Sequence, residues 1–243
     1  MKKSIILTLT GFLVFGFLAG QVFGQSADEV LEKMIEAQGG RAKLASVKDT
    51  TLTGTFDMPA MGMSGQTTRY HKEPNLFRMD IEVMGMVITQ AYDGEIAWAL
   101  NPQTGISEEM PELQAEYFKR DTLGFVAILN PKKYGISFAY KGKEKIEDKE
   151  FLVLEQSYSD GYTITMYIDA KTYLPYKTKA TALDQMMMET ETESYMTDYR
   201  EIDGVMTAFQ MNIFQGCEEF IVFIASEIKY NTGLEDSFFK MEK

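Results

Sequence analysis

From about Val47 onward the chain repeats every two residues, and that alternation restricts it to extended structure with two unlike faces. Leu52, Gly54, Phe56 and Met58 fall on one side, Thr51, Thr53, Thr55 and Asp57 on the other. Phe77, Met79, Ile81 and Val83 alternate with Arg78, Asp80 and Glu82. Ile96, Trp98 and Leu100 resume the pattern after Asp93-Gly94, a favoured hairpin dipeptide. Further strands are expected over 136–141, 151–156, 162–168, 173–182, 187–199, 205–214 and 220–230. Such strands build an antiparallel sheet with one wet face and one apolar face. About eleven of them are too many to stay flat, so the sheet must curl around its apolar side.

Two segments have a helical period instead. Ser26 and Glu29 form a capping box, Val30, Leu31, Met34 and Ile35 make one apolar stripe, and Gly39-Gly40 ends it. The stretch from Pro111 to Asn130 carries few strand signals and reads as helix, with Leu113, Tyr117 and Phe118 followed by the more apolar piece Leu123 to Leu129. A short piece from Glu235 to Met241 reads as a last helical turn. Helices with one apolar face belong across the hollow of the curled sheet. The expected fold is mainly β (α+β), an unclosed antiparallel β-barrel of about eleven strands with a helical lid.

The N-terminus carries the compartment signal. Lys2 and Lys3 precede an apolar stretch from Ile5 to Ala19, and Val22-Phe23-Gly24 forms a cleavage site before Gln25. The stretch is shorter than the roughly 20 residues of a spanning helix. Gln21 stands where a lipid-accepting cysteine would follow Leu18-Ala19-Gly20, so the released protein is expected free in the periplasm. Residues 1–24 are thus read as a signal peptide and 25–243 as one domain, with no linker or charge block to divide it.

Removing Lys2 and Lys3 leaves 22 basic against 36 acidic side chains, a net charge of −14. That field repels polyanions, which argues against a nucleic-acid partner. Cys217 has no second cysteine to pair with and is expected as a small buried side chain. The unusual count is methionine: 16 follow the first residue, clustered at Met58–Met63, Met84/Met86 and Met186–Met188. Unbranched and polarisable, methionine suits a cavity that accepts chains of varied shape, or equally the gaps of an ordinary core.

Catalytic signals are missing. His71 is the one histidine, and no Gly-x-Ser-x-Gly elbow or phosphate-cradling glycine loop accompanies it. One histidine and one distant cysteine do not make a zinc site. Glu189, Glu191 and Glu193 alternate along a strand and read as a solvated sheet face. No enzyme activity, metal or cofactor is expected.

Specific segments carry a resemblance. Lys72-Glu73-Pro74-Asn75-Leu76-Phe77-Arg78, then Tyr92-Asp93-Gly94 and Trp98 through Asn101-Pro102, resembles the core signature of LolA/LolB-like lipoprotein-sorting proteins. There a Lys-Arg-Pro-Asn-Leu-Phe segment precedes an Asp-Gly…Trp…Asn-Pro hairpin. Tyr167-Ile168-Asp169 leading to Leu174-Pro175 is similar to that group's Asp…Leu-Pro hairpin. The resemblance implies an apolar hollow for the acyl chains of lipoproteins moving toward the outer membrane. It implies an acylated lipoprotein or related lipid as ligand, an inner-membrane donor, an outer-membrane acceptor and a monomeric soluble carrier.

On that reading Phe56, Met58, Phe77, Met79, Ile81, Trp98 and Leu100 line the cavity, and Ile35, Leu123, Phe125 and Ile128 form its lid. In the soluble carrier the arginine before the proline ties the lid shut; here that residue is Glu73, an acceptor where the family has a donor. Arg69, Lys72 and Arg78 are the nearby cations that could take its place. The alternative function is a non-catalytic envelope interaction module on the same fold, with a different lipid ligand or none. A lipid- or peptidoglycan-directed enzyme would need Glu189, Glu191 or His71. The leader predicts a periplasmic protein that begins at Gln25; intact-mass measurement checks this, and a mass retaining Met1 contradicts it.

Overall fold

In this computed structural model residues 25–184, 186–216 and 218–241 are described; the predicted leader and Cys217 lie outside them. Thirteen strands form one sheet: β1 (Asp49–Met58), β2 (Met63–Lys72), β3 (Leu76–Val83), β4 (Met86–Tyr92), β5 (Ala97–Leu100), β6 (Ser107–Glu109), β7 (Ile136–Ile146), β8 (Lys149–Tyr158), β9 (Thr163–Asp169), β10 (Pro175–Leu183), β11 (Glu189–Ile202), β12 (Val205–Gln215) and β13 (Glu218–Tyr230). Their order is β6-β5-β4-β3-β2-β1-β13-β12-β11-β10-β9-β8-β7. Two antiparallel meanders therefore meet at a single long-range pair, β1 with β13. The short β6 and the long β7 are left as free edges, so the barrel is unclosed as expected.

Register sorts the side chains. Residues opposite one another in an antiparallel pair share a face, and the partners run Ile81↔Thr67, Phe56↔Phe223, Phe223↔Met211, Ser194↔Thr178 and Met166↔Leu154. All belong to the concave face. Helix α1 (Ala27–Ala37), capped by Ser26 Oγ accepting from Glu29 N at 3.1 Å, lays its predicted stripe there. Val30, Leu31, Met34 and Ile35 pack with Leu152, Leu154, Ile168 and Val205 into the main core. The predicted helix over 111–130 is two pieces, α3 (Glu112–Arg120) and α4 (Val126–Leu129), parted by residues 121–125; α2 (Arg41–Ser46) joins α1 to the sheet. In chain order α3 and α4 lie between β6 and β7, the two free edges.

The convex face is not wholly wet. Residues 231–241, with a short 3₁₀ turn over Asp236–Phe239, cross it. Trp98 Nε1 donates to the Phe239 carbonyl at 2.9 Å, and both side chains are almost fully buried. Arg78 stacks 4.4 Å from the Phe238 ring centre and donates to that residue's carbonyl. Lys72 donates to the Leu234 carbonyl and pairs with Asp236. At the segment's start the buried Asp49 carboxylate accepts from Thr232 N at 2.6 Å, Thr232 Oγ1 at 2.7 Å and Gly233 N at 3.0 Å.

Burial raises the Asp49 carboxyl, but those donors outweigh it and hold the group below its ordinary 3.8. A depressed folded value contributes stability above the unfolded one and loses it as pH falls through the folded one. Asp49→Ala is therefore expected to cost about 2–3 kcal/mol across neutral pH, in urea unfolding, with the gap closing below about pH 4.

Candidate functional site

On the concave face, near the end where β1 turns into β2 and β3 into β4, lies an apolar hollow of about 230 Å³. Phe56, Met58, Met63, Met79, Ile81 and Val83 supply most of its wall, with Ile88 and Ile221. Two glycines make room for its aromatic floor. A Cβ on Gly65 would stand 2.9 Å from the Phe56 ring, and one on Gly54 2.8 Å from the Phe223 ring. A second, wetter hollow of about 460 Å³ adjoins it at Ile221 and runs under α3 along β9 to β13. Tyr117, Phe118 and Asp121 face it from the helix; Ile164, Thr178, Ser194 and Ile213 face it from the sheet.

Helix α3 is held over this space at both sides. Phe118 meets Phe77 edge-on at 5.6 Å between ring centres. Opposite, Arg120 pairs with Asp160 at 3.0 Å and lies over the Tyr117 and Tyr162 rings, while Tyr117 donates to Glu189 at 2.6 Å. Each contact is partly exposed, so the cover is fastened by several weak links.

The loop between α3 and α4 is latched to the end of β2. Glu73 Oε1 accepts from Phe125 N at 2.7 Å, Gly124 N donates to the Pro74 carbonyl at 3.3 Å, and His71 Nε2 donates to the Thr122 carbonyl at 2.8 Å. Gly124 is required here, since a Cβ would fall 2.2 Å from both Glu73 Oε1 and His71 Cε1. Burial pushes the Glu73 carboxyl up, against the Phe125 and Val126 N–H groups and Lys48, which pull it down; its Oε2 is buried without a partner. Burial also pushes the His71 ring below 6.5, against the Thr122 carbonyl, so it is neutral at pH 7 and serves as a donor.

Among the described residues Arg69 is the one charged group in the wall of the apolar hollow, partly buried with its guanidinium 4.8 Å from the Phe223 ring centre. Asp121 stands in the adjoining hollow at the end of α3. Desolvation pushes its carboxyl up to about 6, with Arg69 and Arg120 pulling back. Water reaches it through the open hollow and moderates the rise. Among the described residues no cluster of three His, Cys, Asp or Glu could hold a metal ion.

Of the expected wall residues, Phe56, Met58, Met79 and Ile81 come together, and Phe77 lies beside them under α3. Trp98 and Leu100 require correction: register puts both on the opposite face, Trp98 beneath the C-terminal segment and Leu100 at a separate edge pocket. Of the expected lid, Ile35, Phe125 and Ile128 pack into the main core over β8 and β9, and Leu123 is half-buried in the latched loop; none lines either hollow. The cover is α3, whose Tyr117 and Phe118 were the legible signal. Lys72 and Arg78 hold the C-terminal segment, Arg69 enters the hollow, and Glu73 alone reaches the lid loop. Glu191 is solvated and pairs with Lys179, whereas Glu193 is half-buried and pairs with Lys177. Exposed methionines, Met61, Met84, Met86 and Met186–Met188, sit at hairpin tips on the end where the hollow opens.

No protein-family profile and no curated protein matches the sequence. The fold does have solved relatives. A LolA superfamily protein from Nitrosomonas europaea aligns with TM-score 0.61 and 15% identity over 88% of this chain and 97% of its own. A domain from Vibrio parahaemolyticus, described as an outer membrane lipoprotein-sorting protein, aligns with TM-score 0.60 and 15% identity over 88% and 96%. A DUF1329 family protein from Desulfovibrio piger gives 0.58 and 14% over 88% and 97%. The chain has the LolA-like fold.

Because the folded Glu73 carboxyl is raised above 4.5, its ionisation works against the fold as pH rises through that range. Glu73→Gln keeps an acceptor for Phe125 N and removes the titration, so it is expected to gain on the wild type from about pH 4.5 toward neutrality. Glu73→Ala leaves the two N–H groups without an acceptor and is expected to cost about 1–3 kcal/mol near pH 5. Thermal unfolding of both variants from about pH 4 to 8 checks the pair.

Proposed function

We propose that this protein is a non-catalytic, monomeric carrier that holds the acyl chains of lipoproteins or related lipids in its concave hollow and moves them through the periplasm toward the outer membrane. The observation that supports it is the apolar hollow itself, walled by Phe56, Met58, Met79 and Ile81 and adjoining at Ile221 the space that α3 covers. Each CH₂ buried in such a wall contributes about 0.8 kcal/mol, so a chain of ordinary length binds firmly without covalent chemistry. Unbranched methionines at the wall adapt to differing chains. Lifting α3 breaks one ion pair, one side-chain hydrogen bond and a few ring contacts, which gives a low barrier to loading from an inner-membrane donor and release to an outer-membrane acceptor. The leader-like first 24 residues and the description of the Vibrio parahaemolyticus neighbour agree with that setting.

Native mass spectrometry of protein isolated from periplasm, with lipid extraction of the same sample, is expected to find acylated ligand. Ile81→Trp, which fills the hollow, is expected to lower occupancy by about tenfold, the equivalent of 1.4 kcal/mol. A protein that is empty and ignores added acylated ligand sinks the carrier reading and leaves an envelope interaction module on this fold.

A further inference from the structure

Two polar atoms at the apolar hollow have no partner. Arg69 Nε and Thr67 Oγ1 are both buried and neither makes a hydrogen bond. The two residues stand on the same face of β2, two positions apart, and both line the hollow. Among the described residues no carboxylate oxygen comes within 4.0 Å of the Arg69 guanidinium, whose near contact is the face of Phe223. A buried polar atom without a partner is rare, and the carboxylate that acts on the Arg69 cation, Asp121, stands beyond ion-pair distance in the adjoining hollow. Here two of them sit in a wall otherwise made of Phe, Met, Ile and Val.

Their depth matters as much as their chemistry. Met63 begins β2 at the open hairpin end, and Arg69 follows six residues later, on the order of 20 Å along the strand. A ligand that entered chain-first would bring methyl ends to Arg69 and leave both atoms unsatisfied. One that entered head-first would supply the missing acceptor. The guanidinium fork matches the two oxygens of a carboxylate, and a hydroxyl beside it adds a third donor. A doubly charged phosphate fits less well, because one cation must balance it with Asp121 in the adjoining hollow opposing.

We propose that Arg69 and Thr67 anchor the carboxylate of a single-chain amphiphile, a long-chain fatty acid, bound head-inward with its chain running toward the methionine-bearing hairpin end. This deepens the carrier reading of the same hollow and rests on it. The hollow, about 230 Å³, suits one chain segment better than several.

The test uses the delipidated mature chain and three probes: palmitate, its methyl ester and hexadecyl phosphate, titrated by calorimetry. Palmitate is expected to bind about tenfold tighter than the ester. Arg69→Met is expected to bring the ratio of palmitate to ester affinity down to about one, and Arg69→Lys, a point charge without the fork, to restore part of the preference. Thr67→Val, nearly isosteric, is expected to lower palmitate affinity about threefold and keeps the test decisive if Arg69→Met fails to fold. Equal binding of palmitate and ester by the wild type overturns the anchor but not the carrier. Tighter binding of hexadecyl phosphate overturns the carboxylate assignment. Binding of none of the three overturns the anchor, and the carrier reading falls with it only if added acylated lipoprotein is ignored as well.

Discussion

The pairing of β1 with β13 joins residues that lie about as far apart in the chain as the strands allow, Thr50 opposite Tyr230. On either side of it the sheet is a succession of local hairpins that need only their own turns. This one contact brings the two meanders into a single curved surface. Phe56 is thereby set against Phe223, and Ile221 between the two hollows. Its closure is entropically costly and slow compared with the hairpins. The register shift between Thr53 and Gly54 bends the pair at the place where the Phe223 ring must lie over the backbone. Without that join there is no concave face for the helices to cover.

How the cover is fastened shows chemistry conserving a role while exchanging its polarity. The resemblance implied an arginine donor before the proline, and Glu73 stands there as an acceptor. The lid loop answers with donors: the Phe125 N–H meets the carboxylate, while His71 donates to Thr122. An acceptor can hold this loop because the backbone on the other side offers N–H groups at the start of α4. Residue identity at Glu73 was legible; the direction of the bond depended on which backbone atoms came to meet it.

The convex side carries a similar lesson. Residues 231–241 bury Trp98 and Phe239 on a face that alternation alone assigns to whichever side holds more apolar residues. In β5 the apolar partners Trp98 and Leu100 belong to one face and Ala97 and Ala99 to the other, and the sheet turns the alanines inward. Small inward residues at this edge leave room beside α3 and the tyrosines it contacts. Arg78 and Lys72, legible as cations near the lid motif, fall on the same outward face and bind the C-terminal segment instead.

Period and punctuation in the sequence by themselves determined an antiparallel, curling sheet, a capped amphipathic α1, a helical insert between two runs of strands, and a wall of Phe56, Met58, Met79 and Ile81 on one face. These follow from local rules: side chains alternate along a strand, recur every 3.6 residues along a helix, and turn where Gly, Asn, Asp or Pro permit. Tertiary structure alone decided which of two faces is concave, that α3 covers the wetter hollow while α1 and α4 fill the core, and that Arg69 Nε and Thr67 Oγ1 are left without partners in the apolar one. The reason is physical: alternation is symmetric between the two faces of a sheet, and only contacts between distant segments break that symmetry.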